Sequence, residues 1–149
     1  MVAIFVILIP TKTFSLIEVD ITRGNLNPLP VAVSPLSIDE DSRRNFENIL
    51  EKKNIGSEIS IIVENNLRTS GLFNPLNKDA FLQAPDIANL KPRFEDWNLI
   101  KAQALITGKV SYVEEKLRVE FRLWDVLAGK EMMALAFTTV PNNWRRVGH

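Results

Sequence analysis

A run of alternating apolar and polar residues predicts three consecutive β-strands in the C-terminal third of the chain. In the middle strand, Lys116–Asp125, every second residue is apolar: Leu117, Val119, Phe121 and Leu123. A period of two places the apolar side chains on one face of a sheet and the charged ones on the other, which is typical of antiparallel pairing. The sequence on either side predicts the neighbouring strands, Ala104–Val113 and Lys130–Val140.

Short links connect these strands. Val113-Glu114-Glu115-Lys116 suits a tight hairpin, and Ala128-Gly129 contains a residue that takes positive φ without cost. A meander of this kind needs cover on its apolar face. The rest of the chain is therefore expected to supply that cover.

Two amphipathic helices are predicted before the meander. The first starts near Asp39 or Ser42, with Phe46 and Ile49 on its apolar side. The second is the stronger prediction and runs from Ile55 to Ser70, with an apolar stripe made of Ile55, Ile59, Ile62, Val63 and Leu67.

The residues that flank the second helix also predict where it begins and ends. Asn54 is expected to cap its start, and Gly71 is expected to take positive φ just beyond its end. The stripe should cover the meander and bury Leu67.

Shorter elements complete the predicted fold. Val31–Val33 is expected to be a short buried strand between prolines, and Pro141 is expected to begin a further helix. One or two helical turns are expected within Asn77–Gln83, and a short helix at Arg93–Ile100. The predicted class is α/β with an α+β-like arrangement: a mixed sheet ending in the three-strand meander, with two main helices chiefly on one face.

The first ten residues, Met1 to Pro10, are almost purely apolar. A run of about 9 residues is too short to span a bilayer and resembles the core of a secretory signal peptide, with cleavage expected after Ser15. No Lys or Arg precedes the run. The alternatives are a buried N-terminal strand and an uncleaved membrane anchor.

Leu16–Asn27 has the alternation of another strand, with Ile17, Val19 and Ile21 in phase and Gly24 near its end. Such a segment can pair with an edge of its own sheet or with the edge of a partner's sheet. On the pattern alone, pairing within the domain is favoured.

Composition excludes several kinds of chemistry. The sequence has no cysteine and a single histidine, His149, and its six glycines form no phosphate-binding loop. Its formal net charge is zero, so no general attraction to nucleic acid or anionic lipid is expected. Asp39-Glu40-Asp41 is expected to be a solvated loop. We predict no catalytic residue, metal or cofactor.

Two surface features each allow more than one interpretation. Trp124 falls on the polar face of its strand, so it marks either an interface or a position covered by the loop Pro85–Pro92. Arg145-Arg146 is a basic pair on the last predicted helix, with only a weak indication of phosphate binding.

Taken in order, several short motifs resemble the amino-terminal domains of TolB proteins, which belong to the Tol–Pal system of Gram-negative bacteria. The motifs are Asp20-Ile-Thr-Arg-Gly24, Pro30-Val-Ala-Val33 followed by Pro35, Asn66-Leu-Arg-Thr-Ser-Gly-Leu-Phe73, Trp97, Ala104-Leu-Ile-Thr-Gly108, Phe121-Arg-Leu-Trp-Asp-Val126, Gly129-Lys130, Phe137-Thr138, Trp144-Arg-Arg146 and His149.

The resemblance implies a periplasmic, non-enzymatic scaffold domain that precedes a β-propeller. It divides the chain into a signal peptide (1–15), an N-terminal binding segment (16–27), the α/β domain (28–140) and the start of a helix leading towards the propeller (141–149). It implies binding of the TolA C-terminal domain by Leu16, Ile17, Glu18, Val19, Asp20, Ile21, Thr22, Arg23 and Gly24. Binding of the lipoprotein Pal is implied for the propeller, with roles in outer-membrane integrity, cell division and colicin import.

The chain departs from the family pattern in three ways. The propeller is absent from this sequence, and the signal-like start lacks its basic residues. Lys101 occupies a position where the family often has glycine, so this lysine has to tolerate or avoid positive φ.

Overall fold

The computed structural model describes residues 27–52, 54–84 and 91–149. Within these ranges the strands are β1 (Leu29–Val33), β2 (Ser37–Ile38), β3 (Phe73–Pro75), β4 (Ala104–Val113), β5 (Lys116–Asp125) and β6 (Lys130–Thr139). The α-helices are α1 (Glu40–Leu50), α2 (Ile55–Thr69) and α3 (Phe94–Leu99). Two 3-10 helices cover Lys78–Ala80 and Pro141–Gly148.

The strands form one mixed sheet, as the sequence predicts. Its order in the described part of the chain is β3-β1-β4-β5-β6, and β2 pairs with β4 beyond the end of β1. The pairs β1–β3, β1–β4 and β2–β4 are parallel, whereas β4, β5 and β6 form the antiparallel meander. The predicted fold class is therefore confirmed.

The two meander links differ in length. Glu114 and Glu115 alone connect β4 to β5, and both adopt positive φ, at 49° and 62°. The second link includes Gly129, whose φ is 63°, and Asp125 accepts a hydrogen bond from the backbone N–H of Ala128 at 2.8 Å. A bulge between β5 and β6 shifts the register between Leu123 and Trp124.

The helix α1 begins where Asp39 caps it. Its carboxylate accepts hydrogen bonds from the backbone N–H and the hydroxyl of Ser42, at 2.8 and 2.9 Å. The expectation that Asp39, Glu40 and Asp41 form a solvated loop is therefore wrong, because they form the cap and first turn of a helix, where acidic residues face the positive end of the helix dipole.

The helix α2 matches its predicted bounds within one residue. Gly71 takes positive φ beyond its end, as predicted. Asn54 occupies the N-cap position, but its side chain makes no capping hydrogen bond, so that part of the prediction is wrong. Ile55 and Ile59 are fully buried, whereas Leu67 is only half-buried, contrary to expectation.

Helices α1 and α2 and the C-terminal 3-10 helix pack on one face of the sheet. They bury Leu117 and Val119 of β5 together with Phe46, Ile59 and Trp144. Further along, Val63 and Leu67 of α2 pack beside Val31, Val33 and Ala104. The predicted one-sided placement of the two main helices is confirmed.

The opposite face has a smaller core around two tryptophans. Trp97 of α3 packs with Trp124 of β5, and the ring of Phe94 lies 5.8 Å from that of Trp124 at a steep angle. Trp124 is only 7% exposed, and its indole N–H donates to the Thr107 hydroxyl at 2.9 Å. It is therefore a core residue covered by α3 rather than a free interface, and residues 85–90 lie outside the described ranges.

Several short elements differ from the prediction. β2 and β3 were not predicted, because two or three residues are too few to show a period. β1 begins at Leu29 and includes Pro30, whose carbonyl accepts from the backbone N–H of Gln103 at 3.0 Å. The predicted turn within Asn77–Gln83 is a single 3-10 turn, and the segment after Pro141 is 3-10 rather than α-helical. No helix in the described ranges is long and apolar enough to span a membrane.

Candidate interaction surface

The predicted partner-binding residues Leu16, Ile17, Glu18, Val19, Asp20, Ile21, Thr22, Arg23 and Gly24 lie outside the described residues. The signal-like stretch 1–15 lies outside them too. The structure therefore tests neither the predicted binding segment nor the predicted signal peptide. The described residues carry a different surface that the sequence analysis did not identify.

This surface is an apolar groove on the helix-covered face of the sheet. The cover formed by α2 and the C-terminal 3-10 helix lies mainly over β5, and it leaves the side chains of β6 partly uncovered in the described structure. Met133, Leu135 and Phe137 of β6 remain 51%, 48% and 44% exposed. The groove has a volume of about 290 Å³. Hereafter we call it the β6 groove.

The register explains why the β6 groove is apolar. Phe137 lies opposite Val119, Leu135 opposite Phe121, and Met133 opposite Leu123. The rings of Phe121 and Phe137 lie 6.1 Å apart in an edge arrangement, which is favourable for aromatic pairs. The other face of the same two strands carries Arg118, Glu120, Arg122, Ala134, Ala136 and Thr138.

Val63 of α2 forms the opposite wall of the groove, and Val147, Gly148 and His149 line its end. The chain is fixed there by α2: the side-chain amide of Asn66 donates to the Gly148 carbonyl at 2.8 Å. A Cβ on Gly148 would lie 2.7 Å from Cγ2 of Ile62, so only glycine allows this close approach.

Several ionisable groups of the described structure make contacts that stabilise its helices. The Ser42 backbone N–H donates to Asp39 and holds the pKa of that carboxyl below its ordinary value, against a smaller opposing effect of desolvation. Glu64 pairs with Lys78 at 2.9 Å and with Arg68 at 3.3 Å along and beside α2. Within the described ranges, no cluster of His, Cys, Asp and Glu could hold a metal ion.

Two tryptophans and Arg145 of the basic pair have defined contacts in the structure. Gln83 accepts from the Trp97 indole N–H at 3.0 Å and from the Arg93 backbone N–H at 3.1 Å. The guanidinium of Arg145 stacks 4.5 Å from the ring centre of Trp144, and the ammonium of Lys52 lies 5.5 Å from the same ring. Arg145 therefore contributes a cation–π contact.

The fold and this surface define a class: a mixed α/β domain whose helix-covered sheet face is left open at one edge, an arrangement suited to binding by apolar contact. The sequence model of the TolB amino-terminal domain matches residues 17–132. The chain belongs to this family.

A curated relative agrees with the assignment. The Tol-Pal system protein TolB of Pelagibacter ubique (strain HTCC1062) is 81% identical over 146 residues. That match covers 98% of this chain but only 33% of the relative. The chain thus spans about a third of the length of that protein, and it corresponds to the amino-terminal domain of a Tol–Pal system TolB.

Solved structures share the fold at low sequence identity. TolB from Acinetobacter baumannii matches with a TM-score of 0.62 and 20% identity, over 82% of this chain and 26% of that one. The C-terminal domain of LpoB from Escherichia coli matches with a TM-score of 0.54 and 13% identity, over 78% of this chain and 86% of that one. At these identities, the matches establish the fold alone.

Proposed function

We propose that this chain is the non-enzymatic, partner-binding domain of a periplasmic Tol–Pal scaffold, and that it binds the C-terminal domain of TolA through Leu16–Gly24. The observation that carries the proposal is the 81% identity to a Tol-Pal system TolB over 98% of the chain. The alternation of Ile17, Val19 and Ile21 with polar residues supports it, because it suits an added strand.

Strand addition gives this segment a physical way to bind. An extended terminal segment donates and accepts backbone hydrogen bonds along an exposed sheet edge, while every second side chain fills apolar pockets. When the segment lies against its own protein, those groups are not available to a partner. Pal, which is proposed to bind the remainder of the longer protein, can shift this equilibrium only by preferring one of the two states.

The wider role follows from this pair of partners. A scaffold that engages an inner-membrane protein at one end and an outer-membrane lipoprotein at the other helps keep the outer membrane attached and draws it inward at division. Colicin import is proposed to use the same route. These roles belong to the whole protein, of which this chain spans about a third.

Deletion of Leu16–Asn27 from the mature protein tests the TolA assignment. Binding of the TolA C-terminal domain, measured by calorimetry, should be lost, because the segment supplies the pairing backbone. Leu99→Asp is a suitable control, since Leu99 is an exposed leucine in α3, at 71%, and its substitution should leave the affinity unchanged. Circular dichroism should show the same fold in all three proteins.

A triple substitution localises the effect within the segment. Ile17→Asp, Val19→Asp and Ile21→Asp together should weaken binding as strongly as the deletion, because they place charges where apolar pockets are expected. Unchanged affinity of the deletion protein would refute the assignment and would favour the alternative of an exported domain with another binding function.

A further inference from the structure

The outer side of β6 has no strand paired to it in the described part of the chain. Every residue from Lys130 to Thr138 is exposed, on both faces of the sheet, whereas β4 and β5 each bury several of theirs. An unpaired strand turns the backbone N–H and C=O groups of alternate residues towards water. β6 therefore presents a row of free hydrogen-bonding groups along its length, with exposed apolar side chains above and below it.

The charges of β6 are confined to its first two residues and are matched by β5. Lys130 lies opposite Asp125 in the register, and Arg122 donates a hydrogen bond to the Glu131 carboxylate at 2.7 Å. No side chain from Met132 to Thr139 is charged, although lysine commonly protects exposed sheet edges from pairing. A strand that pairs with this side of β6 consequently needs no charge of its own.

The regular part of β6 is Met133–Thr139, because the bulge leaves Met132 without a residue opposite it on β5. We call Met133–Thr139 the β6 edge. Ala136 is its middle residue, so a twofold axis through Ala136, perpendicular to the sheet, would place the β6 edge antiparallel to the same edge of a second copy. Residues directly opposite each other in such a pair lie on the same face. The whole regular stretch would then be paired, with the bulge and both charges left outside it.

This twofold arrangement brings compatible side chains together on each face. On the side of the β6 groove, Leu135 would lie opposite Phe137 of the second copy, and both are about half exposed in the single chain. On the other side the two copies of Ala136 would meet at the axis, and two small residues, Ala134 and Thr138, would lie opposite each other. The pairing therefore removes apolar surface from water without opposing like charges.

We propose that β6 is a self-pairing edge, through which two copies of this domain join Met133–Thr139 antiparallel about a twofold axis at Ala136 and continue the sheet from one copy into the other. The formal net charge of the chain is zero, so two copies do not repel each other over long distances. A contact between identical patches closes on itself and yields a dimer. The pairing uses a surface other than Leu16–Gly24 and does not depend on TolA binding.

A disulfide at the axis tests the register directly, because this chain has no cysteine of its own. With Ala136→Cys, the two Cα atoms would lie about 4.5–5.5 Å apart, within reach of a disulfide. Ala134→Cys is the matched control: it is an exposed alanine on the same face, but its two copies would lie about 14 Å apart. The protein made from its complete reading frame is used, under mild oxidation.

Non-reducing electrophoresis should show a linked dimer for Ala136→Cys and none for Ala134→Cys or for the unsubstituted protein. Equal amounts of dimer from both cysteine variants would indicate random collision and would overturn the proposal. Absence of a dimer at position 136 would overturn it too, as would a disulfide from that position to a different protein.

Sedimentation equilibrium measures the association without any crosslink. The unsubstituted protein should form a dimer, and Ala136→Lys should raise the dimer Kd about tenfold or more, because it places two ammonium groups opposite each other at the axis. Leu99→Lys adds the same charge at a residue of α3 that is 71% exposed, and it should leave the Kd unchanged. Circular dichroism checks that the variants keep their fold. A protein that stays monomeric at every concentration, or an Ala136→Lys variant that dimerises normally, would contradict the proposal.

Discussion

Asp39 accepts hydrogen bonds from the backbone N–H and the hydroxyl of Ser42, and that hydroxyl accepts in turn from the backbone N–H of Tyr112 in β4. The cap of α1 is therefore joined to the centre of the sheet by two side chains. Ser42 is buried, so this connection is shielded from water. One carboxylate thus sets both where the helix begins and how it meets the sheet.

Replacement of Asp39 by alanine should lower the free energy of unfolding by about 0.5–2 kcal/mol at neutral pH, as for other lost N-caps. The lowered pKa of Asp39 means that the folded protein binds fewer protons than the unfolded chain. Its stabilisation is present above the ordinary value of 3.8 and is lost as the pH falls through the lowered pKa. Urea unfolding at neutral and strongly acidic pH should show the two proteins converging in acid.

The neighbouring carboxylate is the control for that comparison. Asp41 lies in the first turn of α1 and is exposed, so Asp41→Ala should cost no more than about 0.3–1 kcal/mol through the helix dipole. An Asp39→Ala deficit that stays constant from neutral to acidic pH would contradict the assignment of the cap as a charged acceptor.

Individual residues also show where sequence reasoning stops. Gly71 and Gly129 could be placed at positive φ because glycine favours that region. Lys101, Glu114 and Glu115 adopt it too, with φ of 66°, 49° and 62°, although nothing in their side chains favours it. The two-residue hairpin between β4 and β5 imposes positive φ on Glu114 and Glu115, so the predicted hairpin, and not the glutamates themselves, indicated it. At Lys101, the comparison with the family pattern raised the possibility, and the lysine itself did not.

Among the elements, α2 shows a graded burial along its apolar stripe. Ile59 is fully buried, whereas Leu67 near the C-terminal end is half-buried at the edge of the cluster formed by Val31, Val33 and Ala104. The sequence spacing gives the stripe but not the depth of each position. Depth depends on how far the sheet extends beneath the helix, and β3 beneath that end is only three residues long.

Because burial decreases along α2, replacing its apolar side chains by alanine should lower the free energy of unfolding by unequal amounts. Ile59→Ala should lower the free energy of unfolding by about 2–5 kcal/mol, because it empties a fully packed site. Leu67→Ala should cost less, since water already reaches part of its side chain. Thermal melts followed by circular dichroism measure both. Equal losses, or a larger loss at Leu67, would show that the C-terminal end of α2 is more deeply packed than described here.

The elements that the sequence predicted are those with enough residues to show a period. The alternation in β5 predicts which of its residues lie on each face of the sheet. The 3.6-residue spacing of apolar residues predicts α2 and its apolar stripe. The helix α3 was also predicted, but its role was not: its Phe94 covers Trp124 on the far face of the sheet. The tertiary partner of an aromatic residue depends on topology, which a local pattern does not contain.

At the scale of the whole molecule, the apolar stretch Met1–Pro10 concerns where the protein resides. We predict that the exported protein begins at Leu16, because a run of about 9 apolar residues is too short to anchor it across a bilayer. Mass spectrometry of protein isolated from the periplasm should give the mass of the shortened chain. Recovery of the intact Met1 end from the membrane fraction would support an anchored domain instead.

The two candidate binding regions, Leu16–Asn27 and the β6 groove, also show how far the sequence alone can predict a site. The alternation in Leu16–Asn27 indicated a segment able to pair with a partner. The β6 groove could not be predicted, because the pattern in β6 gives a face to cover and does not reveal that the available helices lie mainly over β5. Only the exposure of Met133, Leu135 and Phe137 in the folded structure shows that the cover is incomplete.

The outer side of β6 has no strand paired to it in the described part of the chain, and no side chain from Met132 to Thr139 carries a charge. Sheet borders of this kind usually bear lysine or proline, which discourage foreign strands from stacking onto them. Lys130 and Glu131 place charge at the start of this border, but the eight residues that follow carry none. The uncharged stretch from Met132 to Thr139 is therefore the part of the border that is most open to pairing with another strand.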